Sequence, residues 1–138
     1  MNKVGIVGAG AWGTALAETV CRGGSDVILW AKEEEVVQSI NEERRNHSFL
    51  PNMPINRQIF ATNNINDLAH VDLILLVTPA QHLRSICSRL SVFLANSIPL
   101  VICSKGIEVG SNTLMPEVVG QELSGSQLLI LSGPTFAR

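Results

Sequence analysis

Short apolar runs alternate along the chain with longer stretches in which apolar positions recur every three or four residues. The runs are 3–7, 26–30, 59–61, 72–78, 99–103 and 128–131. Each is too short for a free-standing helix. The run Leu73-Ile74-Leu75-Leu76-Val77 has no polar alternation at all, as expected of a strand covered on both faces. Helical spacing fills the gaps between runs. Trp12, Ala15, Leu16 and Val20 share one face. Leu83, Ile86, Cys87, Leu90 and Leu94 share another, opposite Gln81, Arg84, Ser88 and Arg89. Charged residues over 33–45 and the segment 113–123 predict two more helices. Gly23-Gly24 marks a left-handed end to the first helix, and Asn64 caps a brief turn through Ala69. The segment 44–57, with Pro51, Pro54, Asn46, Asn52 and Asn56, predicts a loop. The alternation as a whole predicts an α/β domain: a doubly wound, mostly parallel sheet with helices on both faces.

Length and charge narrow the picture. The 138 residues suit one domain, and 46% of them are hydrophobic, enough for a packed core. A net charge of −2 with dispersed basic residues argues against nucleic acid or an anionic membrane as partner. Cys21, Cys87 and Cys103 are far apart and lie in or beside apolar runs, so they are expected to be buried thiols of a reducing compartment. His47, His70 and His82 lack metal-ligand spacing. The run 4–7 is too short for a signal sequence, and no stretch approaches the roughly 20 apolar residues that span a bilayer. A cytoplasmic protein is the expectation.

The chemistry is concentrated in Gly8-Ala9-Gly10-Ala11-Trp12-Gly13, which follows a predicted strand and opens a predicted helix. In that context each glycine has a task. Gly8 permits the tight turn, Gly10 leaves room for a pyrophosphate beside the backbone, and Gly13 lets helix and strand approach closely. The helix N-terminus then offers free N–H groups to phosphate. An NAD-preferring site usually has an acid at the tip of the second strand, about 20 residues past the glycines. Here that tip is Leu29-Trp30-Ala31-Lys32. A cation in place of the acid suits a 2′-phosphate, so the cofactor expected is NAD or NADP, with a lean to NADP. Glu33, Glu34 and Glu35 suit a helix N-terminus through its dipole.

The glycine turn continues as Trp12-Gly13-Thr14-Ala15-Leu16-Ala17. With Leu29-Trp30-Ala31, Phe49-Leu50-Pro51-Asn52, Val77-Thr78-Pro79-Ala80, Ser104-Lys105-Gly106-Ile107-Glu108 and Ser132-Gly133-Pro134-Thr135-Phe136-Ala137, the sequence resembles the bacterial NAD(P)-dependent glycerol-3-phosphate dehydrogenases from end to end. The resemblance implies a Rossmann-type domain over 1–138. It implies cofactor contacts at Gly8, Gly10, Ala11, Trp12, Gly13, Lys32, Phe49, Lys105 and Ala137, and substrate contacts at Lys105, Gly133 and Thr135. Family members often carry Ser where this chain has Ala11; the backbone N–H survives that difference.

The reaction implied is reversible hydride transfer between NAD(P)H and dihydroxyacetone phosphate, giving sn-glycerol 3-phosphate for glycerophospholipid synthesis. The family continues into a helical domain that carries the catalytic lysine, so no catalytic residue is expected within 1–138. The fragment alone is expected to bind cofactor without turnover, and the full-length protein to be a homodimer. By its residues alone the chain remains open to other readings. These are the Rossmann domain of a 6-phosphogluconate or β-hydroxyacid dehydrogenase, or a non-catalytic dinucleotide-binding module.

Overall fold

The computed structural model describes residues 2–133. Six parallel strands form one sheet: β1 (Lys3–Val7), β2 (Asp26–Trp30), β5 (Ile59–Thr62), β6 (Leu73–Leu76), β7 (Leu100–Ile102) and β8 (Leu128–Ile130). Their spatial order is β5-β2-β1-β6-β7-β8. The chain therefore winds outward from β1 in one direction, returns, and winds outward from β6 in the other. That reversal opens a crevice at the carboxyl ends of β1 and β6, where doubly wound sheets hold ligands.

Strand alternation divides the apolar side chains between two layers. Val4, Ile6, Leu29 and Leu75 point to one face and meet α1 (Ala11–Arg22) and α2 (Glu34–Glu43) through Leu16, Ala17, Val36 and Ile40. Val7, Ile74, Leu76, Leu100 and Ile102 point to the other face. They meet α3 (Leu83–Ser91) and α4 (Met115–Glu122) through Leu83, Ile86, Leu90, Val118 and Val119. Ile74 and Leu76 of the central strand β6 are fully buried. Burial of one such side chain contributes about 1.5–3 kcal/mol.

The local rules also account for the helix ends. At the end of α1 the left-handed residue is Gly24 (φ +89°), one position later than Gly23, whose φ of −77° is right-handed. Among the described residues no helix is long and apolar enough to cross a membrane.

The segment 44–57, expected from its prolines and asparagines to be a loop, is not one throughout. It contains an antiparallel ribbon of β3 (Arg45–Asn46) and β4 (Leu50–Pro54). Arg44 ends α2 in the left-handed region (φ 55°) and its guanidinium donates to the carbonyls of Asn56 and Ile59. Asn46 is completely buried. Prolines and asparagines hide such a ribbon from periodicity, because its stability comes from tertiary hydrogen bonds and not from an apolar face.

Register aligns the strand ends. Val7 pairs with Trp30 on one side and with Leu76 on the other, and Leu76 pairs with Ile102. Four strands thus end level. The turns that leave them line one edge of the sheet.

Candidate functional site

A cavity of about 610 Å³ opens along that edge. Its floor is the glycine turn. Gly8 has φ +118°, and a Cβ there would lie 2.9 Å from the Val77 carbonyl oxygen, so only glycine fits. A Cβ on Gly13 would fall 1.8 Å from the Gly8 oxygen, which shows how tightly the first turn of α1 packs on the strand end. Gly10 differs from both. Nothing lies within 4 Å of where its Cβ would be, and its backbone is extended. The space beside Gly10 is open cavity.

The N-terminus of α1 faces this space. Its N-cap, Gly10, makes no side-chain cap, and its first turn holds no acidic residue. The first helical bond runs from Thr14 N–H to the Gly10 oxygen. The N–H groups of Ala11, Trp12 and Gly13 precede that bond, so they are left over by helix geometry. Such a terminus attracts anions. Among the described residues, Lys32, Arg89 and Lys105 also line the cavity, against one carboxylate, Glu33.

A buried polar group lies beside the same space. The Thr78 hydroxyl, on the turn after β6, is buried and finds no hydrogen-bond partner among the described residues. Thr78 lines the same cavity. Leaving a buried hydroxyl unpaired costs about 1–3 kcal/mol. An open glycine and unpaired helix N–H groups together fit a phosphate-bearing molecule.

The structure brings most of the sequence-derived residues together. Gly8, Gly10, Ala11, Trp12, Gly13, Lys32, Phe49 and Lys105 all line the cavity. Trp12 and Phe49 remain 53% and 45% exposed, so both rings stand open to solvent at its wall. Lys105 follows β7 and its Nζ lies 3.5 Å from the Gly133 carbonyl oxygen. Lys105 and Gly133 also share a neighbouring cavity of about 310 Å³ with Trp12. Thr135 and Ala137 lie outside the described residues.

The turn carrying Lys105 is held by side chains. Ser104 Oγ donates to the Thr78 carbonyl at 2.5 Å. Gln81 Nε2 donates to the Ile107 carbonyl at 3.0 Å, and its Oε1 accepts from Val109 N–H at 2.9 Å. Arg84 grips Glu108 with two bonds of 2.8 Å and reaches Glu122 with a third. That guanidinium, helped by the Ser111 hydroxyl, holds the Glu108 carboxyl down to about 2.

Three features escape sequence reasoning. In the sequence Thr78 reads as the mere end of a strand. Arg89 reads as part of a solvated helix face, yet its guanidinium lies 5.3 Å from the Trp30 ring centre and it lines the cavity. The spacing of Ser85, Ile86 and Arg89, all on the cavity wall, is the available signal. Asn46 is hidden in the supposed loop. The three cysteines are buried as expected. Burial pushes the Cys103 thiol, which borders both cavities, up to about 11, so it is a neutral thiol and no nucleophile near pH 7. Among the described residues no group of three or more His, Cys, Asp or Glu could hold a metal ion.

Residues 3–138 match the family described as NAD-dependent glycerol-3-phosphate dehydrogenase N-terminus. The chain is 47% identical over 137 residues to a glycerol-3-phosphate dehydrogenase [NAD(P)+] of Paramagnetospirillum magneticum, covering 99% of the chain and 50% of that protein. It is 48% identical over 135 residues to the Novosphingobium aromaticivorans protein of the same name, covering 98% of the chain and 40% of that protein. The crystal structure of glycerol-3-phosphate dehydrogenase from Coxiella burnetii superposes with a TM-score of 0.89 at 32% identity, over 98% of this chain and 42% of that one. The chain thus spans about half, or less, of the length of these relatives. Sequence, sheet order and glycine turn agree: the chain belongs to the family of NAD-dependent glycerol-3-phosphate dehydrogenase N-terminal domains.

Proposed function

We propose that this chain is the dinucleotide-binding part of an NAD(P)-dependent sn-glycerol-3-phosphate dehydrogenase, reducing dihydroxyacetone phosphate for glycerophospholipid synthesis in the cytoplasm. The observation that carries the reading is the uncapped N-terminus of α1 opening beside Gly10 into the cavity. In this reading the pyrophosphate rests on the N–H groups of Gly10, Ala11 and Trp12, with Gly8 and Gly13 shaping the turn. Lys32 faces the adenosine ribose and favours a 2′-phosphate, Phe49 flanks the cofactor, and Ala137 touches it. Lys105, Gly133 and Thr135 contact the substrate.

When bound, the nicotinamide cofactor supplies the hydride. The chain's own residues bind and orient. Lys105 sits at the carboxyl edge of β7, where a flexible ammonium can pair with a phosphate or carbonyl oxygen next to the cofactor. The proton donor to the carbonyl is proposed to be a lysine in a helical domain that follows in the longer protein, which would act as a homodimer on small molecules alone. The share of each relative that this chain covers supports that division.

Calorimetric titration with NADPH and with NADH tests the reading, alongside Lys32→Ala. The expected result is binding of both, with any preference for NADPH lost in the variant. Binding of neither would overturn it.

A further inference from the structure

The glycine turn is held by its own backbone bonds, Gly8 N–H to the Trp30 carbonyl and Thr14 N–H to the Gly10 carbonyl, and also by a residue from a distant ribbon. Asn46, on β3, is completely buried behind the turn. Its Nδ2 donates to the Ala9 carbonyl at 2.8 Å and to Thr14 Oγ1 at 2.9 Å. Its Oδ1 accepts from Phe49 N–H at 3.1 Å. Thr14, also completely buried, passes the restraint on: its hydroxyl donates to the Gly10 carbonyl at 2.8 Å. Three of the four hydrogen-bonding positions of the Asn46 amide are thereby used.

Peptide geometry turns these bonds into a statement about the cavity. In a trans peptide the C=O of one residue and the N–H of the next point in opposite directions. No described peptide bond is cis. Fixing the Ala9 carbonyl toward Asn46 therefore fixes the Gly10 N–H away from it. Fixing the Gly10 carbonyl toward Thr14 does the same for the Ala11 N–H. Ala9, Gly10 and Ala11 all line the cavity. Gly10 has no Cβ to limit its backbone and open space beside it, so the Asn46 and Thr14 side-chain bonds add to the helical bond on the Gly10 carbonyl in keeping these N–H groups aligned.

We propose that Asn46 is the positioning residue of the phosphate cradle, orienting the Gly10 and Ala11 N–H groups through the Ala9 carbonyl and Thr14 while tethering Phe49 to the same turn. The assignment rests on the dinucleotide reading and adds to it a residue outside the glycine motif. Asn46 is buried and does not line the cavity. It acts on the phosphates through two peptide planes, and on the Phe49 side through one hydrogen bond. The ligand feature it serves is the pyrophosphate, not the purine or the ribose.

That selectivity supplies the test. The 138-residue chain and its Asn46→Ala, Thr14→Val and Thr14→Ser variants are titrated calorimetrically with NADPH. Adenosine, which lacks phosphates, is titrated by ¹H–¹⁵N spectra that also follow the Gly10 and Ala11 amides. Melting curves identify the folded variants. The expected result is that Asn46→Ala weakens NADPH by about tenfold or more and leaves adenosine unchanged. The ligand-induced shifts of the Gly10 and Ala11 amides should shrink with it. Thr14→Val should follow Asn46→Ala, and Thr14→Ser should return to wild type. If Asn46→Ala fails to fold, the Val and Ser pair at position 14 decides alone. Equal weakening of NADPH and adenosine, or no weakening, overturns the role of Asn46 and leaves the dinucleotide reading standing. A wild-type chain that binds neither ligand overturns both.

Discussion

Two turns at the carboxyl edge of the sheet are built on opposite principles. The turn after β1 is made of backbone: glycines at 8, 10 and 13, a helix N-terminus and one buried amide behind them. The turn after β7 is made of side chains: Lys105 projects from a segment pinned by Ser104, Gln81 and the Arg84–Glu108 pair. A backbone cradle suits a group that every relevant ligand shares, such as a pyrophosphate, because its donors have fixed spacing. A side-chain platform suits a group that must reach across to a smaller and more varied partner. Packing divides the two turns in the same way. The first turn tolerates no added atom at two of its glycines, whereas the second is tied by polar contacts at the surface.

Breaking the first turn should have the largest effect. Gly13→Ala places a methyl 1.8 Å from the Gly8 oxygen, a backbone atom that cannot swing aside. Separation of α1 from β1 should cost about 3 kcal/mol or more, seen as a large fall in Tm together with loss of dinucleotide binding. Gly10→Ala separates the two properties. Its backbone is extended and its Cβ meets nothing, so Tm should change by less than about 1 kcal/mol equivalent while NADPH affinity drops tenfold or more. A Gly10→Ala protein that keeps full affinity would mean that phosphate does not lie where the cradle is open.

The contrast between the two turns also explains what is legible in the sequence. The glycine turn is local, so its spacing and its place between strand and helix can be read directly, and the tight turn at Gly8 and the close approach at Gly13 match the geometry found there. The central strand β6 is readable for the same reason, since both of its faces are covered by apolar side chains. What holds these pieces is not local. Asn46 reaches Ala9 across 37 residues, and Arg84 reaches Glu108 across 24. Neither pair has a periodicity. The ribbon of β3 and β4 reads as a loop because its determinants are a buried amide and a left-handed Arg44, not an apolar pattern. Thr78 is recognisable only with the cavity beside it in view.

Loosening the second turn should leave the first untouched. Arg84→Met removes the grip on Glu108 and the contact to Glu122, and Gln81→Ala frees Ile107 and Val109. Amide exchange over 105–109 should accelerate by about tenfold in either variant, with exchange at residues 8–14 unchanged. Mass-spectrometric hydrogen exchange resolves the two segments. Acceleration at both would mean that the turns form one cooperative unit and are not built independently.

The smallest effect expected is on pH dependence, and it isolates a single bond of the side-chain platform. Arg84 and the Ser111 hydroxyl hold the Glu108 carboxyl from its ordinary 4.5 down to about 2 in the folded protein. A carboxyl whose folded value is depressed contributes stability that is fully present above its unfolded value. That contribution is lost as pH falls through the folded one. The window is therefore between about 5 and 2, and the sign is loss of stability toward acid. Asp72, which accepts from the N–H groups of Asn2 and Lys3, is lowered too and contributes in the same direction. Glu108→Gln removes the first contribution and keeps the second. Melting curves at steps from pH 6 to pH 3 should thus draw together: Glu108→Gln melts below wild type near neutrality, and the gap narrows as the carboxyl of the unfolded wild-type chain gains its proton. The glycine turn carries no ionisable group between Gly8 and Thr14, so Gly10→Ala should run parallel to wild type throughout. A gap between Glu108→Gln and wild type that stays constant with pH would show that Arg84 holds the turn by shape and packing instead of by charge.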